Sequence, residues 1–294
     1  TEFDIIVYGA SGFTGRLVAE YLAARYGVGG EVKWAMAGRS ADKLAQVRDE
    51  IGAPKDVPLG VADADDPASL TAMVARTKAV LTTVGPYQLY GSALVAACAA
   101  AGTDYLDLCG EPAWMRQMID AHDAEARRTG ARIVFSCGFD SIPFELGAFF
   151  VEEIAKARLG APVPRVKGRV RRMKGGFSGG TAASLQATMA AAAKDPAIIA
   201  YLTDPFSLAN GFKGPAQPPG DKAEHDPDLD ALVGPFVMAT INTKNVHRAH
   251  ALRDHPHDRD FVYDERLPAG PGPPASPAPG GRPAREEGPL SLRA

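Results

Sequence analysis

Length, composition and charge exclude several classes of protein. The chain has 294 residues, 46% of them hydrophobic and 23% charged, and its formal net charge is −3. This composition is typical of a globular protein with two domains, and the charge gives no argument for nucleic-acid binding. No apolar run approaches the roughly 20 residues that span a bilayer. The three cysteines lack metal-like spacing, so we predict no disulfide framework, no metal site and a cytoplasmic location, with membrane association left open.

The first predicted element is an apolar strand that runs directly into three glycines spaced three residues apart. The strand covers residues 4–8, the glycines are Gly9, Gly12 and Gly15, and a helix is predicted over 13–26. In a dinucleotide-binding turn the first glycine permits the turn, the second admits the pyrophosphate and the third lets the helix pack on the strand. An ordinary glycine-rich turn is the alternative. Further predicted cofactor contacts in this turn are Ser11, Phe13 and Thr14.

The residues that follow the second predicted strand indicate which cofactor binds. Residues 33–38 are followed by Arg39 and Ser40, at a position where NAD-binding proteins carry an acidic residue. An arginine at this position accommodates the 2′-phosphate of NADP(H), and a serine hydroxyl adds a hydrogen bond. We therefore predict NADP(H) as the cofactor, while a solvated loop cation is the alternative interpretation of Arg39.

The first 160 residues alternate short apolar strands with helices. Strands without polar alternation are covered on both faces, and repeated strand–helix units form a parallel sheet with right-handed crossovers. Residues 1–160 are therefore predicted to be an NADP-binding Rossmann domain, which is a doubly wound α/β fold. The other strands are predicted at 57–62, 79–84, 104–108 and 131–136, and the other helices at 41–51, 66–76, 90–101, 112–129 and 143–157.

After residue 160 the pattern changes to a strand with alternating charge. Residues 163–173 place cations on one side and small or apolar residues on the other, which predicts a half-exposed strand of a mixed sheet. Residues 161–267 are therefore predicted to be an α+β substrate domain. The row of cations fits either a solvated face with acidic neighbours or a site for an anionic substrate group. The cations are Arg165, Lys167, Arg169 and Arg171.

The rest of this region is predicted from local composition. A helix is expected over 182–193, after a glycine-rich turn at 175–181, and residues 214–230 are expected to form a loop. From residue 268 onward the chain holds eight of its 24 prolines, interleaved with glycine and alanine. Such a segment cannot bury enough apolar surface to fold, so residues 268–294 are predicted to be a disordered tail.

Ligands of a doubly wound sheet lie beyond the carboxyl ends of its strands. After the third strand, Asp63 is predicted to accept a hydrogen bond from the adenine amino group, or alternatively to be a helix-entry residue before Asp66 and Pro67. Tyr87 is the candidate proton donor, and Asp140 or Glu111 is the second choice. The loop after the fourth strand is predicted to pass beside the ribose and nicotinamide through Thr83, Val84, Gly85 and Pro86.

Two other groups of reactive side chains have plainer interpretations. Cys137 lies at a strand end and could act as a covalent nucleophile, but no histidine stands out as its base, so a buried structural cysteine is favoured. Four histidines lie close together without zinc-like spacing, so a solvated polar segment is favoured over a metal site. They are His247, His250, His255 and His257.

Six segments together resemble the saccharopine dehydrogenase-like oxidoreductases, and most closely the branch of trans-acting enoyl reductases. The segments are 9–15, 37–39, 83–87, 105–111, 138–143 and 178–181. The resemblance covers about residues 3–266 and implies an NADP-binding Rossmann domain followed by a mixed-sheet substrate domain. In that branch NADPH reduces an unsaturated (enoyl) acyl intermediate during lipid or glycolipid biosynthesis, whereas saccharopine dehydrogenases act on a C–N bond.

The resemblance also sets expectations for partners. It implies a small-molecule or carrier-bound acyl substrate, and it leaves open peripheral membrane contact and a homo-oligomer. Family members are longer than this chain, so we expect an incomplete substrate domain with an exposed sheet edge or apolar patch. The alternatives are a C–N reductase, a non-catalytic NADP-binding protein, and a semialdehyde-type dehydrogenase that uses Cys137 covalently.

Overall fold

The computed structural model describes residues 1–172 and 179–268, and its first part is a parallel six-stranded sheet. The strands are β1 (Phe3–Tyr8), β2 (Trp34–Gly38), β3 (Leu59–Val61), β4 (Thr77–Thr82), β5 (Asp104–Leu106) and β6 (Ile133–Val134). Their order in the sheet is β3-β2-β1-β4-β5-β6, so the order reverses between β1 and β4. The helices are α1 (Phe13–Tyr26), α2 (Ala41–Glu50), α3 (Pro67–Val74), α4 (Tyr87–Tyr90), α5 (Ser92–Ala101), α6 (Pro112–Thr129) and α7 (Ile142–Leu159).

Both faces of this sheet are covered, which explains why its strands are apolar without alternation. Ile6, Tyr8 and Ala37 belong to one buried cluster, and Val7 and Met36 belong to another. Because successive side chains of a strand point to opposite faces, the two clusters occupy the two sides of the sheet. The predicted doubly wound α/β fold is confirmed.

Helix boundaries follow local sequence signals except at α4. Asp66 caps α3 by accepting hydrogen bonds from two backbone N–H groups, and Pro67 occupies the first turn, as predicted for this helix start. The single helix predicted over 90–101 is instead two helices, α4 and α5. The carboxylate of Glu111 accepts the N–H groups of Tyr87 and Gln88, which lets a helical turn begin earlier than local sequence indicates.

The second part of the chain builds a smaller mixed sheet. Its elements are β7 (Arg165–Arg169), α8 (Gly179–Lys194), α9 (Ala197–Thr203), β8 (Glu224–Asp226), β9 (Ala231–Pro235), α10 (Ala239–Leu252) and β10 (Val262–Pro268). The strand order is β7-β10-β9-β8. Strand β10 pairs parallel to β7 and antiparallel to β9, so the predicted mixed sheet is confirmed.

Two predictions for this region are wrong in part. The loop expected over 214–230 contains β8, whose Asp226 is buried and forms ion pairs with Lys167 and Arg169. The row of cations is therefore not a freely solvated face, although it has the expected acidic neighbours. These partners lie about 60 residues away along the chain, so local composition could not reveal them.

The structure bears on both predicted boundaries of the second domain, at residues 160 and 268. Helix α7, placed before the predicted boundary at residue 160, contributes Ala148 to a buried cluster with Val166 and Phe261 of the second part. The boundary itself stays a prediction.

At the other end, Pro268 closes β10, and the rest of the predicted disordered tail, 269–294, lies outside the described residues. The outer face of α7 exposes an apolar patch that includes Leu146, Phe150 and Ile154.

Three of the four histidines are buried and the fourth, His255, is half-buried, so the predicted solvated segment is wrong. His247 and His250 of α10 and His257 are almost fully buried, and they pack on aromatic rings. The ring of His257 lies 4.4 Å from that of Phe261, and the ring of His247 lies 4.5 Å from that of Phe206. Within residues 1–172 and 179–268, no cluster of His, Cys, Asp and Glu side chains is arranged to hold a metal ion.

Burial of these histidines predicts a loss of stability in mild acid. Burial lowers the pKa of His247 to about 3 and that of His250 to about 4, against an ordinary value of 6.5. The unfolded chain therefore binds more protons below about pH 6.5, and folding loses roughly 1–3 kcal/mol per histidine as the pH falls to about 4. Urea unfolding across this range measures the loss.

The substitution His247→Phe should reduce the dependence of the urea midpoint on pH. The exposed His225 offers a matched control, because His225→Gln removes a histidine that is not buried in the fold. An equal pH dependence in wild type and His247→Phe would contradict the assignment of the acid sensitivity to this buried residue.

Candidate functional site

The turn between β1 and α1 is shaped by three glycines with three different surroundings. Gly9 has φ +88°, and a Cβ there would lie 2.8 Å from the Thr83 hydroxyl oxygen and from a Val84 methyl group. A Cβ at Gly15 would lie 2.2 Å from the carbonyl oxygen of Gly9. Among the described residues, a Cβ at Gly12 would contact that same oxygen, at a close 3.3 Å, and no other atom within 4 Å. The protein itself requires glycine at the first and third positions, whereas a side chain at the second would meet one close contact and otherwise open space.

This open space lies at the start of α1. Gly12 is the N-cap residue, and among the described residues no side chain caps the helix. The first N–H groups of α1 and the positive end of its dipole are therefore available to an anion. The turn has the features that a pyrophosphate needs, so the residues present fit a dinucleotide. Ser11 and Thr14 flank the space, and Phe13 is exposed.

The two residues after β2 differ in what they contact. Arg39 is exposed and forms no ion pair with any residue in 1–172 or 179–268. The hydroxyl of Ser40 accepts a hydrogen bond from the N–H of Lys43 and caps α2, and its own proton can still be donated. Arg39 is therefore open to a phosphate, and its predicted role stays a prediction.

Asp63 lies just beyond β3, on the same edge of the sheet. One of its carboxylate oxygens accepts the N–H of Asp65 at 3.1 Å. The alternative, that Asp63 is a helix-entry residue before Asp66 and Pro67, agrees with its backbone carbonyl, which accepts the N–H of Asp66 at 3.0 Å just before α3. A contact between Asp63 and adenine stays a prediction.

The loop after β4 lies directly against the glycine turn. The Thr83 hydroxyl donates to the Gly9 carbonyl at 3.3 Å, and the Val84 N–H donates to the Thr82 hydroxyl at 3.2 Å. Gly85 and Pro86 follow and lead into α4. The structure thus brings together the two predicted cofactor-binding segments at the point where the strand order reverses, which is where doubly wound sheets bind ligands.

The position of Tyr87 argues against its predicted role as proton donor. Its side chain is buried, its hydroxyl donates to the Thr82 carbonyl at 3.3 Å, and that hydroxyl accepts from the Leu108 N–H at 3.4 Å. Burial also raises the pKa of Tyr87 far above its ordinary value of 10.0. The ring stacks on Trp114, with 5.7 Å between centroids. Tyr87 therefore supports the loop from inside the fold.

Asp140 has a different environment, at the junction of the two sheets. It is half-buried after β6, and burial raises the pKa of its carboxyl group above the usual 3.8. Its backbone carbonyl accepts a hydrogen bond from the Asn242 side chain at 2.9 Å. The same side-chain nitrogen donates to Glu265, which also accepts from the Tyr263 hydroxyl at 2.8 Å. Sequence reasoning missed this network because its members come from α10 and β10.

Asp107 is a second buried carboxylate that sequence reasoning did not assign. Its oxygens accept the N–H groups of Cys109 and Ser136 and the hydroxyl of Tyr105, at 2.8–2.9 Å. Burial raises the pKa of Asp107 to about 7. The residue therefore joins the loops after β5 and β6. Its only signal in the sequence is its place in the segment 105–111.

Cys137 does not have the environment of a nucleophile. Burial raises the pKa of its thiol to about 11, and the sulfur donates a weak hydrogen bond to the Val134 carbonyl. A thiol with a raised pKa is protonated at neutral pH and is a poor nucleophile. This favours the structural interpretation of Cys137 over the covalent one.

A parallel sheet in this strand order, with a glycine turn open at Gly12, defines a dinucleotide-binding Rossmann domain. Residues 5–134 match the family described as "Saccharopine dehydrogenase NADP binding domain". This part of the chain is therefore similar to a saccharopine dehydrogenase NADP-binding domain, and the chain is similar to proteins named trans-acting enoyl reductase. Among solved structures, apo histidine-tagged saccharopine dehydrogenase (L-Glu forming) from Saccharomyces cerevisiae has a TM-score of 0.44 at 17% identity, covering 57% of this chain and 34% of that one.

Three mycobacterial relatives show how far the similarity extends. The trans-acting enoyl reductase of Mycobacterium leprae is 39% identical over 279 residues, and that of Mycobacterium bovis is 41% identical over 284. A Mycobacterium tuberculosis relative, 43% identical over 278 residues, carries the same name provisionally. Each alignment covers 92% of this chain and 66% of the relative, so the chain spans just under two thirds of their length.

The different surroundings of Gly12 and Gly15 predict opposite effects of alanine. Gly12→Ala should lower the melting temperature far less than Gly15→Ala, because its methyl group lies 3.3 Å from the Gly9 carbonyl oxygen instead of 2.2 Å. It should weaken NADPH binding roughly tenfold or more, about 1.4 kcal/mol, because the methyl group enters the ligand space. Gly15→Ala should instead destabilise the fold by about 1–3 kcal/mol, because its methyl group overlaps the Gly9 carbonyl. Thermal unfolding and fluorescence titration measure the two effects. Unimpaired NADPH binding by Gly12→Ala would argue against this location for the pyrophosphate.

Proposed function

We propose that this chain is an NADP-dependent oxidoreductase that reduces an unsaturated (enoyl) acyl substrate, of the kind used in lipid or glycolipid biosynthesis. The observation that carries the proposal is the 39–43% identity, over 92% of the chain, to relatives named trans-acting enoyl reductase. The NADP-binding domain over residues 5–134 supports the cofactor half of the proposal.

Different residues at the carboxyl edge of the sheet have different roles in such a reduction. The N–H groups that follow Gly12 bind the pyrophosphate, and Arg39 pairs with the 2′-phosphate. Bound NADPH would supply a hydride to the substrate carbon β to the carbonyl. The saturated product would then also require a proton at the α carbon. We assign this proton to Asp140, because the residue follows β6 beyond the carboxyl ends of the strands and is half-buried there. Burial also raises the pKa of its carboxyl group above the usual 3.8.

The finer statements about partners are also proposals. The apolar outer face of α7, which exposes Leu146, Phe150 and Ile154, is the surface that we propose for these contacts. The contacts are with a carrier-bound acyl substrate, with a membrane surface, or with a second copy of the chain. In the described part of the chain, no helix combines the length and the apolar character needed to cross a bilayer.

Cofactor preference tests the role of Arg39. Arg39→Asp should weaken NADPH binding about tenfold or more and strengthen NADH binding, because an acidic side chain repels the 2′-phosphate and accepts from a 2′-hydroxyl. Arg128→Asp, at the far end of α6, makes the same change of charge away from the site and should leave both affinities unchanged. If the unaltered protein bound NADPH and NADH with equal affinity, the assignment of Arg39 to the 2′-phosphate would have no basis.

Reduction of enoyl thioesters tests the function and the proton donor together. The loss of reduced nicotinamide absorbance should follow the addition of short- and long-chain enoyl thioesters, with the saturated acyl group as product. Asp140→Asn should lower kcat roughly 100-fold or more and leave NADPH affinity unchanged. Asp123→Asn, on the exposed side of α6, is the matched control and should keep full activity.

The alternatives give different outcomes in the same assay. Turnover of an imine formed from an amine and a keto acid, without turnover of enoyl thioesters, would favour a C–N reductase. Tight NADPH binding without turnover of either class would favour a non-catalytic NADP-binding protein. Full activity in Asp140→Asn would assign the proton to another group.

A further inference from the structure

One buried carboxylate at the site has no part in the proposed reduction. The side chain of Glu111 is 2% exposed, and the residue lies at the end of the segment 105–111, directly before α6. A carboxylate removed from water is destabilising unless strong hydrogen bonds compensate for the lost solvation. The hydrogen bonds of Glu111 therefore indicate the role of this buried carboxylate.

Both oxygens of Glu111 are used by the loop after β4. One accepts the N–H of Tyr87 at 2.9 Å, and the other accepts the N–H of Gln88 at 2.8 Å. Hydrogen bonds to an ionised acceptor are about twice as strong as neutral ones. The carboxylate thus fixes the backbone immediately after Gly85 and Pro86, the two residues that leave the carboxyl end of β4.

Glu111 is itself held in place from the neighbouring loop. Its N–H donates to the sulfur of Cys109 at 3.3 Å, and the N–H of Cys109 donates to Asp107 at 2.9 Å. A carboxylate on a supported backbone can define the position of a flexible partner. These hydrogen bonds connect Asp107, just after β5, through Cys109 and Glu111 to the loop after β4.

The location of these contacts divides the cofactor site in two. A doubly wound sheet binds the two nucleotides of a dinucleotide with its two halves. The glycine turn after β1 and Arg39 after β2 belong to the adenine half, and Glu111 touches neither of them. The loop after β4 belongs to the other half, where the nicotinamide ribose is predicted to bind.

We propose that Glu111 is a positioning residue for the nicotinamide half of the NADP site, acting through the backbone of Gly85–Gln88. It holds this loop in the shape that the cofactor meets on binding. The proposal rests on NADP binding by the domain and not on the reduction of an enoyl substrate, so it can fail without the proposed function failing.

The test compares two ligands on one variant. In Glu111→Gln the side chain keeps its size, but its amide NH₂ group faces one of the two backbone N–H groups, so one hydrogen bond is lost. The Kd of NADPH should rise about tenfold. The Kd of adenosine 2′,5′-bisphosphate, which contains only the adenine half, should stay within about twofold. A merely structural role would raise both constants together.

A matched control separates this effect from general destabilisation. Asp104 lies at the opposite end of β5, and its carboxylate likewise accepts a backbone N–H, that of Arg132, at 2.9 Å. Asp104→Asn should lower the melting temperature and leave the Kd of NADPH unchanged. A second measurement uses the unaltered protein: NADPH should slow hydrogen exchange across 84–88, and adenosine 2′,5′-bisphosphate should not.

Two results would overturn the proposal. One is an equal loss of affinity for both ligands in Glu111→Gln, or no loss for NADPH. The other is exchange at 84–88 that NADPH leaves unchanged in the unaltered protein. The second result decides the question even if Glu111→Gln fails to fold.

Discussion

The whole site depends on how closely α1 packs against β1. The distance is set by two glycines, since a single Cβ at Gly15 would lie 2.2 Å from the Gly9 carbonyl, and a Cβ at Gly9 would meet the loop after β4. This packing aims the first N–H groups of α1 at the open space beside Gly12 and also brings Thr83 to hydrogen-bond distance of Gly9. The anion site and the contact between the two halves of the sheet therefore share one steric constraint.

Around this turn, buried carboxylates connect loops that would otherwise be separate. Asp107 joins the loops after β5 and β6, Glu111 joins α6 to the loop after β4, and Glu265 joins β10 to the loop after β6 through Asn242. Each carboxylate accepts at least two hydrogen bonds, which compensates for its burial. Burial nevertheless raises the pKa of Asp107 and of Glu265 to about 7. The carboxyl edge of the sheet is thus fixed by polar contacts, whereas its faces are fixed by apolar packing.

Sequence reasoning succeeded wherever the determining contacts are local. The strands of the first sheet, the start of α3 at Asp66 and the glycine turn depend on periodicity, capping and backbone freedom, all of which a short window contains. It failed where partners are distant: β8 is held by pairing with β9, the histidines of α10 are covered by Phe206 and Phe261, and Tyr87 is buried against Trp114. The proton donor was therefore harder to predict than the cofactor.

The most direct test of the account is a crystal structure of this chain with NADP⁺. We expect the pyrophosphate over the N–H groups that follow Gly12, the 2′-phosphate beside Arg39, and the nicotinamide ribose against the loop at Gly85. Density for the cofactor across the carboxyl ends of β1 and β4 would agree with it. A cofactor bound elsewhere, or an empty turn at saturating NADP⁺, would contradict the claim that this edge of the sheet is the functional site.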